Sequence, residues 1–206
     1  MLTRVRFGGL GGQGIVLAGS ILGVAACRAG LNAAGSNSYG AAARGTACRA
    51  DVVLSDALIA YPHVSVADVL AVMSQAAYEK YLPALVPGGL VLGDDFSVTR
   101  IDGPAHAFHS VPATSTTVRE FGSRQGANIV MLGVVLGATD LVPLDAVREA
   151  LREGVRERFH AVNLRALDLG IEMGRSACTP SPTPRPTPTP NPSTSTSTST
   201  KQRKGT

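Results

Sequence analysis

The 206-residue chain has no tryptophan, three cysteines, 4% aromatic residues and no Asp or Glu before Asp51. Each shortage excludes something. Cys27, Cys48 and Cys178 are odd in number, far apart and without a CxxC pair, so no disulfide framework, zinc site or iron–sulfur site is expected, and all three read as small buried residues. His63, His106, His109 and His160 have no metal-ligand spacing; His106 and His109 fall on an expected strand, where i and i+3 face opposite sides. No apolar run approaches the roughly 20 residues that span a bilayer, and the opening MLTRVRFGG has no signal-peptide core, so a cytoplasmic protein with no membrane partner is expected. The net charge of +4 also loses meaning on inspection. Arg185, Lys201, Arg203 and Lys204 follow Cys178 and no acid does, so residues 1–178 carry 15 charges of each sign. The body has no basic excess, and no nucleic-acid partner is expected.

What is present divides the chain in two. Residues 179–206 hold seven of the 13 prolines, at every second position from Pro180 to Pro192, and no apolar residue. This Pro/Thr/Ser-rich tail is expected to be disordered, either a solvated appendage or a tether with a weak anionic contact through its last cations. Residues 1–178 alternate strand-like and helix-like segments. Strands are expected at 5–7, 51–54, 58–61, 69–73, 90–93 and 107–111, with 51–54 and 58–61 forming an antiparallel edge pair. Helices are expected at 15–29, 75–85, 116–121, 128–138, 144–154 and 156–174, with Gly30 closing the first and Pro87-Gly88-Gly89 forming a turn. Buried apolar strands separated by helices indicate an α/β fold. It is a three-layer, Rossmann-like, doubly wound, mostly parallel sheet with C-terminal helices.

The strongest local signal is Gly9, Gly11 and Gly14 in G-x-G-x-x-G spacing, between an expected strand and an expected helix. Glycines permit a sharp turn and close backbone approach, and a helix N-terminus favours an anion such as a phosphate or a partner's acidic group. Gly9, Gly11, Gly12, Gln13 and Gly14 are therefore candidate binding residues; equally, the glycines allow tight packing, as Gly14 would against the sheet. A dinucleotide enzyme would add an acid about 20 residues on, to hold the ribose hydroxyls. The region around residues 32–36 has none, so a stand-alone nucleotide-binding or regulatory domain is only the alternative. Ser38, Tyr39, Gly40 and Arg44 lie in a second small-residue loop expected at the same sheet edge. Arg44 could hold an anion, or simply pair with Asp51 or Asp56.

With both loops the chain resembles the gamma subunit of the 2-oxoacid:ferredoxin oxidoreductases, the pyruvate/ketoisovalerate oxidoreductase catalytic domain family. The resemblance runs through Gly11-Gly12-Gln13-Gly14-Ile15, Ser38-Tyr39-Gly40 with Ala43-Arg44-Gly45, Ser55-Asp56 and Tyr61-Pro62. It continues through Asp68-Val69-Leu70, Ser74-Gln75, Pro87-Gly88-Gly89, Pro112-Ala113-Thr114, Asn128 with Met131-Leu132-Gly133, and Asn163-Leu164 with Gly170. It implies a subunit of a complex that oxidatively decarboxylates a 2-oxoacid to acyl-coenzyme A and passes electrons to ferredoxin. It also implies alpha and beta, and in some complexes delta, partner subunits that carry the thiamine diphosphate and iron–sulfur clusters, with this chain ligating no cofactor alone. The 2-oxoglutarate and branched-chain types are the better match, because the indolepyruvate branch has a His-Gly-Met-like step at Ser38-Tyr39-Gly40. One departure stands out: where the family reads Pro-Glu, this chain has Ala41-Ala42, and Thr46 replaces the final glycine.

Two further groups have plain readings. Asp94-Asp95, at the end of an expected strand, is a capping or solvated pair. Arg148, Arg152 and Arg156 alternate with Glu149, Glu153 and Glu157 as an ion-paired helix surface. The helices at 15–29 and 128–138 are apolar around much of their circumference and are expected to be buried, in the domain or in a subunit contact.

Overall fold

A computed structural model describes residues 1–38, 47–101 and 106–178. The tail, together with Tyr39, Gly40, Ala41, Ala42, Arg44 and Thr46 of the second loop, lies outside the described residues. In chain order the elements are β1 (Leu2–Leu10), α1 (Ile15–Arg28), β2 (Asn32–Ser38), β3 (Ala47–Ser55), β4 (Ala67–Val72) and α2 (Gln75–Tyr81). There follow β5 (Leu85–Asp94), β6 (Ala107–Val111), α3 (Ala113–Phe121), α4 (Ala127–Thr139), α5 (Leu144–Gly154) and α6 (His160–Cys178). The six strands form one sheet in the order β2-β3-β1-β4-β5-β6. β1, β4, β5 and β6 pair in parallel, and β3 alone runs against its neighbours β1 and β2.

Side-chain alternation along each strand separates the two cores. Val5, Phe7, Val69 and Ala71 face α1, α4 and α6, while Leu70, Val72 and Val91 face α2 through Tyr78 and Tyr81. The three-layer, mostly parallel α/β arrangement is thus as expected, but its antiparallel part is not. Residues 58–61 form no strand: Leu58 is 88% exposed. β3 instead spans nine residues and pairs on both edges, placing the reversed strand inside the sheet. Its first half, Ala47-Cys48-Arg49-Ala50, has no strand-like composition and is held by its two neighbours.

Smaller differences have local causes. α2 ends at Tyr81 and a 3-10 turn takes over at Leu82–Ala84, where Pro83 offers no N–H. Pro87-Gly88-Gly89 lies within β5, with Gly88 at φ 75°. The last helix starts at His160 after a 3-10 turn, because Arg156 is extended. Gly30 closes α1 as expected: it is left-handed, φ 81°, and Leu31 N–H donates to Ala26 O.

α4 and α6 are in backbone contact. A Cβ on Gly133 would lie 2.3 Å from Leu167 O, and one on Gly170 2.0 Å from Val130 O. α4 is buried from Ala127 to Leu136, whereas α1 is buried on one side only, with Ser20, Val24, Cys27 and Arg28 exposed, so of the two apolar helices singled out in the sequence α4 is the interior one. The charged face of α5 pairs mostly outward rather than along its own helix. Glu149 and Glu153 meet Arg28 of α1, and Arg148 bridges Asp168 of α6 as well as Asp145. The cysteines do not share one environment: Cys48 is buried, Cys178 half-buried and Cys27 exposed.

Candidate functional site

Because β2 and β1 both run against β3, they point the same way, and their carboxyl ends open on one sheet edge. Gly8 of β1 and Ser38 of β2 are both in register with Arg49. The second loop, residues 39–46, lies outside the described residues, but the two strands that lead into the loops end at one edge, with β3 between them. That insertion also explains the missing ribose acid. In a dinucleotide site the strand beside β1 leaves the sheet at this edge, whereas β3 enters it here.

At the carboxyl ends of β1, β4 and β5 lies a cleft of about 820 Å³. Gly12, Gln13 and Gly14 form one wall; Gly126, Ala127 and Asn128 form another; Phe96, Ser97 and Arg124 stand at the side. Gly12 and Gly14 are left-handed, at φ 93° and 73°, which accounts for glycine at both positions. Gly9 is required for space, since a Cβ there would lie 2.6 Å from Gln13 Oε1, whereas nothing stands within 4 Å of one on Gly11. Gly14 packs against Asn128, not against the sheet. A Cβ on it would lie 2.5 Å from Asn128 Nδ2, and that amide donates to Gly14 O at 3.0 Å. The first turns of α1 and α4 have no side-chain cap and no acid. Their N–H groups give this wall a positive field.

The floor is a continuous polar chain. Leu10 N–H donates to Gln13 Oε1 at 2.6 Å, and Gln13 Nε2 donates to Met73 O at 2.9 Å. Ser97 Oγ lies 2.9 Å from the same Met73 O and 3.2 Å from Asp94 Oδ2. Asp94 then accepts from Thr114 N–H at 2.9 Å and Thr114 Oγ at 2.7 Å. Gln13 thus locks the glycine loop onto the end of β4, and Asp94, 1% exposed and so not solvated, holds the first turn of α3 from the neighbouring strand. Asp95 is exposed and meets Ser115 Oγ at 3.3 Å.

The cleft unites the glycine loop with Asn128, Ser74 and Gln75, which entered only as resemblance motifs. Sequence reasoning missed Phe96, Ser97, Arg124 and Gln125. No local pattern marks them; Arg124 is placed by stacking 4.5 Å above the Phe96 ring. Ser38 is exposed at the end of β2 and does not line this cleft. Asp51 and Asp56, offered as local partners for Arg44, are engaged elsewhere: Asp51 by Arg6, and Asp56 by the amino terminus, whose hydrogen bond and charge hold its carboxyl below the usual range. No group of His, Cys, Asp or Glu among the described residues is arranged to hold a metal ion.

Residues 4–173 match the family model described as pyruvate ferredoxin/flavodoxin oxidoreductase. The chain belongs to this family. It is 36% identical over 178 residues to the 2-oxoglutarate synthase subunit KorC of Methanocaldococcus jannaschii, covering 85% of this chain and 95% of that one. It is 33% identical to the ketoisovalerate oxidoreductase subunit VorA of Methanothermobacter thermautotrophicus, over 84% of this chain but 36% of that longer one. The crystal structure of the keto/oxoacid ferredoxin oxidoreductase gamma subunit from Geobacter sulfurreducens superposes with a TM-score of 0.78 at 32% identity, covering 86% of this chain and 98% of that one. The chain is accordingly a subunit of the 2-oxoacid:ferredoxin oxidoreductase type, with the gamma-subunit fold. Among the described residues no helix is long and apolar enough to cross a membrane.

Proposed function

We propose that this chain is the gamma-type subunit of a complex that oxidatively decarboxylates a 2-oxoacid, forms the acyl-coenzyme A and reduces ferredoxin. The observation that carries this reading is near full-length correspondence with the archaeal KorC chain. The same correspondence favours 2-oxoglutarate as substrate over a branched-chain 2-oxoacid. Alpha and beta subunits are the partners, a delta subunit a further one, and the cytoplasm the compartment.

Within that complex the cleft suits coenzyme A. It is anionic through its phosphates, and two uncapped helix N-termini, the open backbone at Gly12 with Gly11 beside it in the chain, and Arg124 favour an anion at this wall. Gly9 and Gly14 keep the loop's shape and Gln13 holds it to β4. Ser38, with Tyr39, Gly40 and Arg44 that follow it in the chain, is kept in this reading as a further contributor to ligand binding. Coenzyme A, when bound, supplies the thiol that receives the acyl group; this chain binds, orients and shields. Thiamine diphosphate and the iron–sulfur clusters belong to the partner subunits. The described cysteines do not fit a cluster, being separate and differently buried.

Co-purification with alpha and beta subunits, followed by turnover assays with 2-oxoglutarate, a branched-chain 2-oxoacid and pyruvate, tests the reading. A complex that is most active on 2-oxoglutarate supports it. A lone monomer that binds NAD, NADP or ATP tightly in calorimetry supports the stand-alone nucleotide-binding alternative.

A further inference from the structure

On the α2 face of the sheet, away from the cleft floor, charge is distributed unevenly. A hollow of about 420 Å³ is lined by Arg6, Arg49, His63, Ser65, Lys80 and Tyr81. The cationic groups of Arg6, Arg49 and Lys80 lie 5.4, 5.8 and 5.6 Å from the centroid of the Tyr81 ring. One carboxylate answers them. Asp51, itself buried, takes Arg6 in a bidentate pair at 2.6 and 2.9 Å, and the same guanidinium donates to Val64 O at 2.6 Å. Arg49 Nε approaches Asp51 Oδ2 at 3.2 Å but without hydrogen-bond alignment. Arg6 is therefore satisfied, while Arg49 is half-buried, His63 and Lys80 are exposed, and among the described residues no acid lines the hollow.

The flank of the hollow is apolar and exposed. Tyr61, 64% exposed, stands edge-on to His63 with ring centroids 5.4 Å apart, and Leu58 lies on the same connection. A rigid aromatic beside oriented arginines is the composition of a protein contact, where Tyr and Arg carry a large share of binding energy. Stacking on Tyr81 also restrains the cations beforehand, lowering the entropy lost on docking.

We propose that this hollow and its Tyr61–Leu58 flank form a docking surface for an acidic segment of a partner subunit. One carboxylate of that segment enters between Arg49 and Lys80, and an apolar residue beside it covers Tyr61. The proposal rests on the subunit reading and adds to it the face that docks and the chemistry that it recognises.

Co-expression of the chain with its alpha and beta subunits, followed by affinity and salt-dependence measurements on the assembled complex, tests it. The variants are Arg49→Glu with Lys80→Glu, Lys80→Glu alone, Tyr61→Ser, and the charge-keeping Lys80→Arg. The double reversal is expected to weaken association about tenfold or more and to remove much of its salt sensitivity, with Lys80→Glu and Tyr61→Ser weaker in effect and Lys80→Arg like wild type. Circular dichroism melts of the free variants keep misfolding separate from lost docking. Wild-type affinity in both folded Lys80→Glu and folded Tyr61→Ser overturns the proposal. It is also overturned if inorganic phosphate stabilises the free wild-type chain but not Lys80→Glu while assembly is unaffected, which makes the hollow a small-anion site. If the wild-type chain forms no complex, the subunit reading itself fails and the docking surface falls with it.

Discussion

Gly12 and Gly14 at the end of β1 and Gly133 and Gly170 in the α4–α6 pair are the same residue put to opposite uses. The first two adopt left-handed backbone and line a cleft without side chains of their own. The second two sit in ordinary helix and remove side chains so that two backbones touch. In one region glycine leaves space for a ligand, in the other it closes space between helices. Substitution should therefore damage stability most in the helix pair and ligand handling most in the loop.

The largest stability loss is expected at Gly170→Ala. A Cβ there meets backbone that cannot swing aside, so about 3 kcal/mol of stability should go, measured by urea unfolding. A loss under about 0.5 kcal/mol would show that the helices separate easily. Asp94→Ala comes next. It strands the Thr114 amide and hydroxyl in a buried place, at a cost of about 2–3 kcal/mol, and should lower the melting temperature without moving the β1 loop. Gly14→Ala is expected to cost about 1–2 kcal/mol, from left-handed strain plus contact with Asn128. Pairing it with Asn128→Ala should return the contact part and leave the strain. Strict additivity in that double-mutant cycle would deny the contact.

How much of this contrast was legible beforehand depended on the kind of signal. G-x-G-x-x-G between a strand and a helix is local, so α1 could be read directly, and so could α5 and β6, whereas β1 was seen only at 5–7 and takes in Gly8, Gly9 and Leu10 of the expected loop. Gly133 and Gly170 carry no local mark, because their need for a missing Cβ arises only when α4 meets α6, 37 residues apart in register. β3 was half-seen for a similar reason: Val52-Val53-Leu54 looks like a strand, whereas Ala47-Cys48-Arg49-Ala50 becomes one only between β1 and β2. Arg124 and Phe96 reach the cleft from separate connections, and order along the chain does not encode that meeting.

The smallest expected effect concerns the thiols. Burial pushes the Cys48 thiol above its ordinary pKa, so little thiolate exists near pH 8, while Cys27 is exposed. Iodoacetamide at pH 8 should label Cys27 well before Cys48. The sign for stability follows: the contribution of the neutral Cys48 is full below the ordinary thiol pKa of about 8.5 and is lost as pH rises through the raised folded value. Equal labelling of both thiols would place Cys48 in a frequently opening part of the sheet.

The central claim is that the glycine-loop cleft receives an anionic ligand within the assembled complex. Arg124→Ala tests it most directly, because Arg124 is exposed and its removal should leave the melting temperature unchanged. In the assembled complex the KM for coenzyme A should rise about tenfold, with the KM for the 2-oxoacid unaltered. An unchanged KM for coenzyme A in the folded, assembled variant, with Gly11→Ala equally silent, would contradict the account.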